Sequence, residues 1–135
     1  MRDYCDADQS QVIDLWIRCD LTRPQNNPQR DILRKQQHGS PFWVLERDST
    51  IVASIMVGYD GHRGSVNYLA VDPEYQGQGI ARDLMQAACD YLHTQGCPKL
   101  NLMVRSGNPA EVFYQALGYD QDAVSVYSQR LIHDQ

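Results

Sequence analysis

The residues best placed to do chemistry form a short loop between a strand and a helix. The segment reads Val71-Asp72-Pro73-Glu74-Tyr75-Gln76-Gly77-Gln78-Gly79-Ile80-Ala81. A helix start of this kind leaves backbone N–H groups without partners at the positive end of the helix dipole. Gly77 and Gly79 carry no side chains, so an anion can approach the backbone closely. The loop therefore predicts a binding site for a phosphate group.

Two common phosphate-binding motifs do not fit this loop. A Walker loop ends in Gly-Lys-Ser/Thr, and that ending is missing from the sequence. A dinucleotide fingerprint needs a glycine where Arg82 stands, and an acidic residue about twenty positions further on, which is also missing. For the loop by itself, a turn whose glycines serve geometry alone remains the alternative.

A second segment narrows the classes of protein to which this loop could belong. It reads Asn108-Pro109-Ala110-Glu111-Val112-Phe113-Tyr114-Gln115-Ala116-Leu117-Gly118-Tyr119. Together the two segments resemble the signatures of the GNAT superfamily of N-acetyltransferases: Gln/Arg-x-x-Gly-x-Gly/Ala after a strand, then Asn, an aromatic–Tyr pair and Leu-Gly-Phe/Tyr. Gln76, Gly79 and Ala81 match the first signature, and the resemblance covers nearly the whole chain. Residues 18–24 and 58–64 resemble a bacterial branch of small acetyltransferases.

The resemblance implies a reaction and a set of binding residues. Acetyl-CoA would be the cosubstrate, and a primary amine would attack its thioester directly. In the family, the pyrophosphate rests on backbone N–H groups of the loop, and the pantetheine arm adds to the preceding strand. A bulge in that strand would aim an N–H at the thioester oxygen. The cofactor-binding residues expected here are Leu69, Ala70, Val71, Gln76, Gly77, Gln78, Gly79, Ile80, Ala81, Arg82 and Asn108.

Tyr114 matches the position of the family's usual general acid. A phenol with a pKa near 10 is a proton donor at neutral pH, and a departing thiolate can accept that proton. A packing role for this helix tyrosine is the alternative. The resemblance assigns no metal ion to the site.

The general base and the acceptor site are less clear in the sequence. Many family members use a glutamate on a central strand, but residues 65–71 and 99–104 contain no carboxylate. Asp20, Glu46, Asp60, His62 and a chain of waters remain as candidates for the base. For the acceptor, the Leu21–Asn27 loop and the Tyr59–Arg63 turn are the expected walls, with Arg23 and Arg63 able to meet a carboxylate.

A CoA-binding module without catalysis, acting as a sensor or as a subunit of an assembly, is the alternative function. It predicts binding of acetyl-CoA without turnover. A purely structural or apolar-ligand protein would bind no acetyl-CoA at all, and the two loop glycines argue against it.

The elements that must position these residues follow from the hydrophobic pattern. Apolar spacing predicts helices over residues 8–19, 28–39, 79–95 and 108–117, and strands over 42–45, 51–57, 65–71, 99–104 and 123–131. With a short strand before the first helix, the order is β-α-α-β-β-β-α-β-α-β, a mixed α/β pattern. The resemblance implies an α+β fold: a central mixed, mostly antiparallel sheet of six to seven strands, flanked by about four helices and split near the acetyl-CoA site.

Composition limits the other classes of function. The 135 residues carry 12 Lys+Arg and 17 Asp+Glu, a net charge of −5. This length favours one domain, spanning residues 1–135. An acidic chain is a poor nucleic-acid binder, and from the hydrophobic pattern we expect neither a membrane-spanning stretch nor a secretory signal. Cys5, Cys19, Cys89 and Cys97 lack zinc spacing, so we expect free thiols in the cytoplasm. The apolar last strand could support a homodimer through its edge.

Overall fold

The computed structural model describes residues 1–134, which form one mixed sheet with helices on both faces. The strands are β1 Arg2–Asp3, β2 Phe42–Arg47, β3 Thr50–Tyr59, β4 Gly64–Val71 and β5 Leu100–Asn101, and the helices are α1 Gln9–Arg18, α2 Pro28–His38, α3 Ile80–Thr94 and α4 Ala110–Ala116. The strand order is β1-β2-β3-β4-β5, antiparallel except for the parallel β4–β5 pair. This confirms the predicted α+β fold with a mixed, mostly antiparallel sheet and four helices.

Local sequence signals place the helices where the pattern predicted them. The Asn27 side chain accepts a hydrogen bond from the Arg30 N–H at 3.0 Å, with Pro28 in the first turn of α2. Gly39 ends this helix with a φ of +84°, a conformation that glycine adopts without strain. Before α4, the Asn108 side chain accepts from the Ala110 N–H at 2.8 Å, and the helix starts at Ala110, with Pro109 at the N-cap position.

Alternation along the strands sorts the core into two apolar clusters. Val12, Leu15 and Trp16 of α1 and Ile32 of α2 pack with Met56 and other strand residues on one face of the sheet. On the other face, α3 packs its own apolar stripe against alternate residues of β3, namely Ala53, Ile55 and Val57. The sheet is therefore covered on both sides, which explains the nearly continuous apolar sequence of β3.

Strand β4 contains the bulge that the resemblance led us to expect. Ser54 pairs with Ala70 and Met56 pairs with Asn67, so the one residue between them on β3 faces two residues of β4, Tyr68 and Leu69. Tyr68 lies at the extra position with a φ of +50°, which is strained for a residue with a bulky side chain. Because of the bulge, Val66 packs on the α3 face whereas Tyr68 packs on the α1 face.

A buried hydroxyl holds the bulge. Ser54 Oγ accepts from the Trp16 indole N–H and donates to the Tyr68 carbonyl, both at 2.9 Å. The Tyr68 ring stacks on Trp16 at 3.8 Å between centroids. At its other end, the Tyr68 hydroxyl donates to Asp31 at 2.6 Å, which ties α2 to the same strand. The polar groups around the bulge thus satisfy one another inside the core.

The prediction of a strand over residues 123–131 is wrong. This segment forms no strand, so residues 1–134 contain five strands rather than six to seven. The physical reason is that β5 has only two paired residues and offers no long edge, while the segment departs toward α2. There Asp134 is buried, accepting two hydrogen bonds from Arg34 at 2.7 and 2.9 Å and one from Arg30 at 3.3 Å. The homodimer contact proposed through that strand's edge therefore loses its structural basis.

Replacing Ser54 with alanine should lower the free energy of unfolding by about 1–3 kcal/mol, because the Trp16 N–H would be left buried without an acceptor. Urea denaturation followed by tryptophan fluorescence measures this change. Ser128→Ala, at an exposed position, is the control and should leave the midpoint unchanged. Equal midpoints for both variants would contradict the role given to Ser54.

Replacing Asp134 with asparagine should loosen residues 120–134 at neutral pH. The Arg34 guanidinium holds the pKa of Asp134 at about 2, below its unfolded value of about 3.9. The carboxylate therefore stabilises the segment above about pH 4 and loses this effect as the pH falls toward 2. Chymotrypsin should cut after the exposed Tyr127 faster in Asp134→Asn than in the parent or in the exposed control Asp120→Asn. Identical cleavage rates in the three proteins would count against the anchor.

Candidate active site

The loop between β4 and α3 has the conformation that its glycines predicted. Asp72 accepts from the Glu74 N–H at 3.0 Å and starts a short 3-10 turn over Pro73–Tyr75. Gly77 and Gly79 have φ values of +80° and +82°, and a Cβ atom at either position would meet nothing within 4 Å. Their requirement for glycine is therefore conformational, and the loop surface is open to a ligand.

One end of the loop is fastened to the strand it follows. The Gln76 side chain donates to the Val71 carbonyl at 3.2 Å, and the same carbonyl accepts from the Cys19 thiol at 3.3 Å. The residues from Gln76 to Gly79 are exposed, and Ile80 is anchored in the apolar cluster beneath α3. Ala81 and Arg82 lie in the first turn of the helix, whose N–H groups lack intrahelical partners. This arrangement favours an anion on the loop.

The expected strand residues lie beside a gap in the sheet. Ala70 and Val71 are buried and Leu69 is partly buried, so their side chains have packing roles. β5 pairs with β4 only at Gly64 and Ser65. Along the part of the chain that the structure describes, the β4 edge beyond Ser65 has no neighbouring strand on that side. This is the predicted split, and it leaves backbone groups available to an extended ligand.

Tyr114 lies on α4 and lines a cleft of about 1500 Å³ beside this gap. Its ring meets those of Phe113 and Tyr119 edge-on, at centroid distances of 5.1 and 5.8 Å. Burial raises the pKa of the Tyr114 phenol above its usual range, which keeps the hydroxyl protonated at neutral pH. Asn108 lies just before the same helix, and its side chain accepts a hydrogen bond from the Ala110 N–H.

The three carboxylates named as candidates for the base are engaged in other contacts. Asp60 accepts from the N–H groups of His62 and Arg63 at 2.8 Å, so it shapes the β3–β4 turn. Glu46 forms an ion pair with Arg2 at 2.9 Å. Asp20 accepts from Arg23, which also donates to nearby backbone carbonyls of its own loop.

The walls expected for the acceptor are only partly brought together. Tyr59, Asp60 and Arg63 line the cleft with Tyr114, whereas the residues of the Leu21–Asn27 loop do not line it. The opposite wall comes from α2 and the turn after it, at Lys35, His38 and Ser40, which sequence reasoning missed. A signal was present, because Lys35 follows the buried Ile32 by three positions and so shares its helix face.

Thiols and charged side chains elsewhere add no further centre. The four cysteines are free, and burial raises the pKa of Cys19. Within residues 1–134, no three His, Cys, Asp or Glu side chains cluster in a way that could hold a metal ion. Among the same residues, every helix is too short or too polar to cross a lipid bilayer.

Known proteins are similar to this chain in both sequence and fold. The sequence profile of the Acetyltransferase (GNAT) family matches residues 9–119. "Acetyltransferase SG1711" from Sodalis glossinidius is 50% identical over 100% of this chain and 97% of its own length. The ribosomal-protein-S18-alanine N-acetyltransferase of Escherichia coli has the same fold, with a TM-score of 0.75 at 22% identity, covering 90% of this chain and 77% of its own. An acetyltransferase from Clostridium acetobutylicum, solved with acetyl-CoA, also has this fold. Its TM-score is 0.74 at 15% sequence identity, covering 95% of this chain and 94% of its own. By profile, relative and fold together, the chain belongs to the acetyltransferase (GNAT) family.

Proposed function

We propose that this protein is a one-domain N-acetyltransferase that moves the acetyl group of acetyl-CoA to a primary amine. The observation that carries the proposal is the combination of three features: the anion-binding loop, the unpaired edge of β4, and Tyr114, which packs on the same apolar cluster as Leu69 and Ile80. Each suits a different part of acetyl-CoA, namely its pyrophosphate, its pantetheine arm and its thioester. The similar fold of the Clostridium acetobutylicum acetyltransferase, which was solved with acetyl-CoA, supports the same ligand.

The backbone is the main cofactor-binding element in this proposal. N–H groups from Gln76 to Ala81 would hold the pyrophosphate, with Arg82 adding a cation at the start of α3. The main chain of Leu69, Ala70 and Val71 would pair with the pantetheine arm, close to Asn108 at the start of α4. Main-chain contacts give affinity without particular side chains, so the buried side chains of this strand remain free for packing.

Tyr114 supplies the proton that the departing thiolate needs. The amine nitrogen attacks the thioester carbon, a C–N bond forms, and the carbonyl oxygen becomes negative. Collapse of this intermediate breaks the C–S bond while the Tyr114 hydroxyl gives its proton to the sulfur. The bulged backbone at Tyr68 and Leu69 would stabilise the oxyanion through an N–H group. No covalent enzyme intermediate is involved, so the cysteines are not needed as nucleophiles.

The setting of the reaction follows from the same features. The four free thiols favour a reducing cytoplasm. The acidic surface favours the approach of a cationic amine rather than of nucleic acid. Our proposed partners are therefore acetyl-CoA and an amine acceptor, carried by a small molecule or a protein.

Tyr114→Phe should lower kcat by about 10²-fold, because the variant cannot donate a proton to the thiolate. Thiol release from acetyl-CoA, measured with a panel of simple amines, peptides and aminoglycosides, tests this. The KM for acetyl-CoA should stay within about twofold of the parent, since the ring is retained. Tyr127→Phe, at a position 94% exposed, is the control and should match the parent.

Two outcomes would count against the proposal. Full activity in Tyr114→Phe would remove the assigned acid. A thermal shift with acetyl-CoA but no thiol release with any amine would favour the non-catalytic CoA-binding module.

Gly79→Ala should weaken acetyl-CoA binding by about tenfold, because a left-handed φ costs roughly 1–2 kcal/mol for alanine. Isothermal titration calorimetry with acetyl-CoA measures the change. Gly96→Ala is the matched control, since Gly96 also has a φ above +80° and open space around it, but lies after the other end of α3. We expect both variants to lose stability and only Gly79→Ala to lose affinity. Equal affinities in the two variants would contradict the position assigned to the pyrophosphate.

A further inference from the structure

Lys35 places an amine in the wall of the Tyr114 cleft, and its surroundings are unusual for a lysine. The side chain leaves α2 and is half-buried, and Nζ donates hydrogen bonds to the Val57 carbonyl and to Ser40 Oγ. Within residues 1–134, no carboxylate oxygen lies within 4.0 Å of Nζ. Lys35 is therefore held by neutral acceptors alone.

This environment favours the neutral form of the amine. Removing an ammonium group from water without a counter-charge is costly, and lysine responds by losing its proton more easily. Burial lowers the pKa of Lys35 to about 8. A large share of Lys35 therefore carries a free lone pair in weakly alkaline solution.

The hydrogen bonds of Lys35 leave one direction of its nitrogen unpaired. A neutral amine has two N–H bonds and one lone pair in a tetrahedral arrangement. Val57 and Ser40 engage two of these directions and leave the third unpaired, and Lys35 lines the cleft together with Gly58, Ser65 and Tyr114.

Gly58 leaves space beside the Lys35 nitrogen. A Cβ atom at that position would lie 3.0 Å from Ser65 Oγ and 4.0 Å from the Lys35 nitrogen. A larger residue would therefore press on Ser65 and contact the Lys35 nitrogen. The absence of a side chain leaves room there for a small group of a substrate.

A path for protons leads from Lys35 to the surface. Ser40 Oγ, which accepts from Lys35, lies 3.0 Å from Nδ1 of the exposed His38. A hydroxyl between two nitrogen atoms can accept a proton from one and donate a proton to the other. Lys35 can thus be returned to its neutral form without opening the cleft.

We propose that Lys35 is the general base of the acetyl transfer. This inference rests on the proposed function and supplies the group that the sequence lacked on its central strands. The acceptor ammonium gives one proton through water to the Lys35 lone pair, and the freed nitrogen lone pair forms the C–N bond to the thioester carbon. When the C–S bond breaks, Tyr114 protonates the sulfur, and the second nitrogen proton restores the Tyr114 hydroxyl through water. The proton on Lys35 leaves through Ser40 and His38, so one proton is released in each turnover.

Three variants separate a base from a structural cation. Lys35→Met retains the aliphatic stem, while Lys35→Arg retains a positive charge that cannot be removed at any assay pH. Lys99→Met is the matched control, because Lys99 is the only other lysine and its half-exposed ammonium pairs with Asp122 at 3.0 Å. At pH 8 with an alkylamine acceptor, we expect both Lys35 variants to lose about 10²-fold or more in kcat and Lys99→Met to match the parent.

A second acceptor sharpens the test. Hydroxylamine is neutral at pH 8 and needs no proton removed before it attacks, so the deficit of Lys35→Met should shrink to less than about tenfold. A structural defect would lower the rate with both acceptors alike. The KM for acetyl-CoA should stay within about twofold in all three variants, because Lys35 lies outside the pyrophosphate loop.

The titration of Lys35 in the parent protein is independent of how the variants fold. With two lysines, the two Cε signals in a carbon NMR titration can be assigned by using Lys99→Met. A Lys35 midpoint near the ordinary value of about 10.4 would overturn the proposal. So would near-parental kcat in Lys35→Arg, or an equal loss with both acceptors. A parent that turns over no amine would overturn the proposed function itself, whereas an active parent with unaffected Lys35 variants would overturn only the role of Lys35.

Discussion

The hydroxyl of Ser54 is the contact on which the geometry of the cleft depends. Tyr68 has a left-handed backbone that costs of order 1–3 kcal/mol, and such a residue persists only where its surroundings hold it. Ser54 holds it through the Tyr68 carbonyl, while the Trp16 indole N–H holds Ser54. The resulting bulge changes which face each later residue of β4 presents, because side chains alternate along a strand. The direction of the proposed cofactor strand is therefore decided inside the core on the α1 side.

The net charge of the chain says little about its anion-binding loop. The protein is acidic, with a charge of −5, yet its loop and helix start are suited to a highly anionic ligand. Local N–H groups act at hydrogen-bond distance, whereas dispersed surface charges are screened by salt over about 10 Å. The same distinction explains the cleft wall at Lys35. Its properties come from neutral acceptors within hydrogen-bond reach rather than from the overall charge.

The segment after α4 shows how tertiary contacts override a strand-like pattern. Val124 and Val126 alternate with polar residues, which is typical of a half-buried strand, but both side chains are mostly exposed. A strand needs a partner edge, and β5 provides only two paired residues. The ion pairs of Asp134 with Arg30 and Arg34 hold the end of the segment against α2 instead. Long-range electrostatic contacts of this kind leave no periodic trace in the sequence.

The amino-acid sequence by itself determined the helices, the strands from β2 to β4 and the loop before α3. These features depend on local signals: the Asn27 cap, apolar periodicity, and glycines at positions that require positive φ. Tyr114 also emerged from the sequence as the candidate acid, because its neighbours form a recognisable local motif. The tertiary structure alone decided the extent of β5, the path of residues 120–134 and the environment of Lys35. From the sequence alone, a lysine is expected to be a solvated cation. Only the fold surrounds Lys35 with Val57, Ser40 and Gly58, which exclude water and provide no counter-charge. The burial of a charged group and its hydrogen-bond partners depend on residues that are far apart in the chain. For this physical reason, only the tertiary structure determines them.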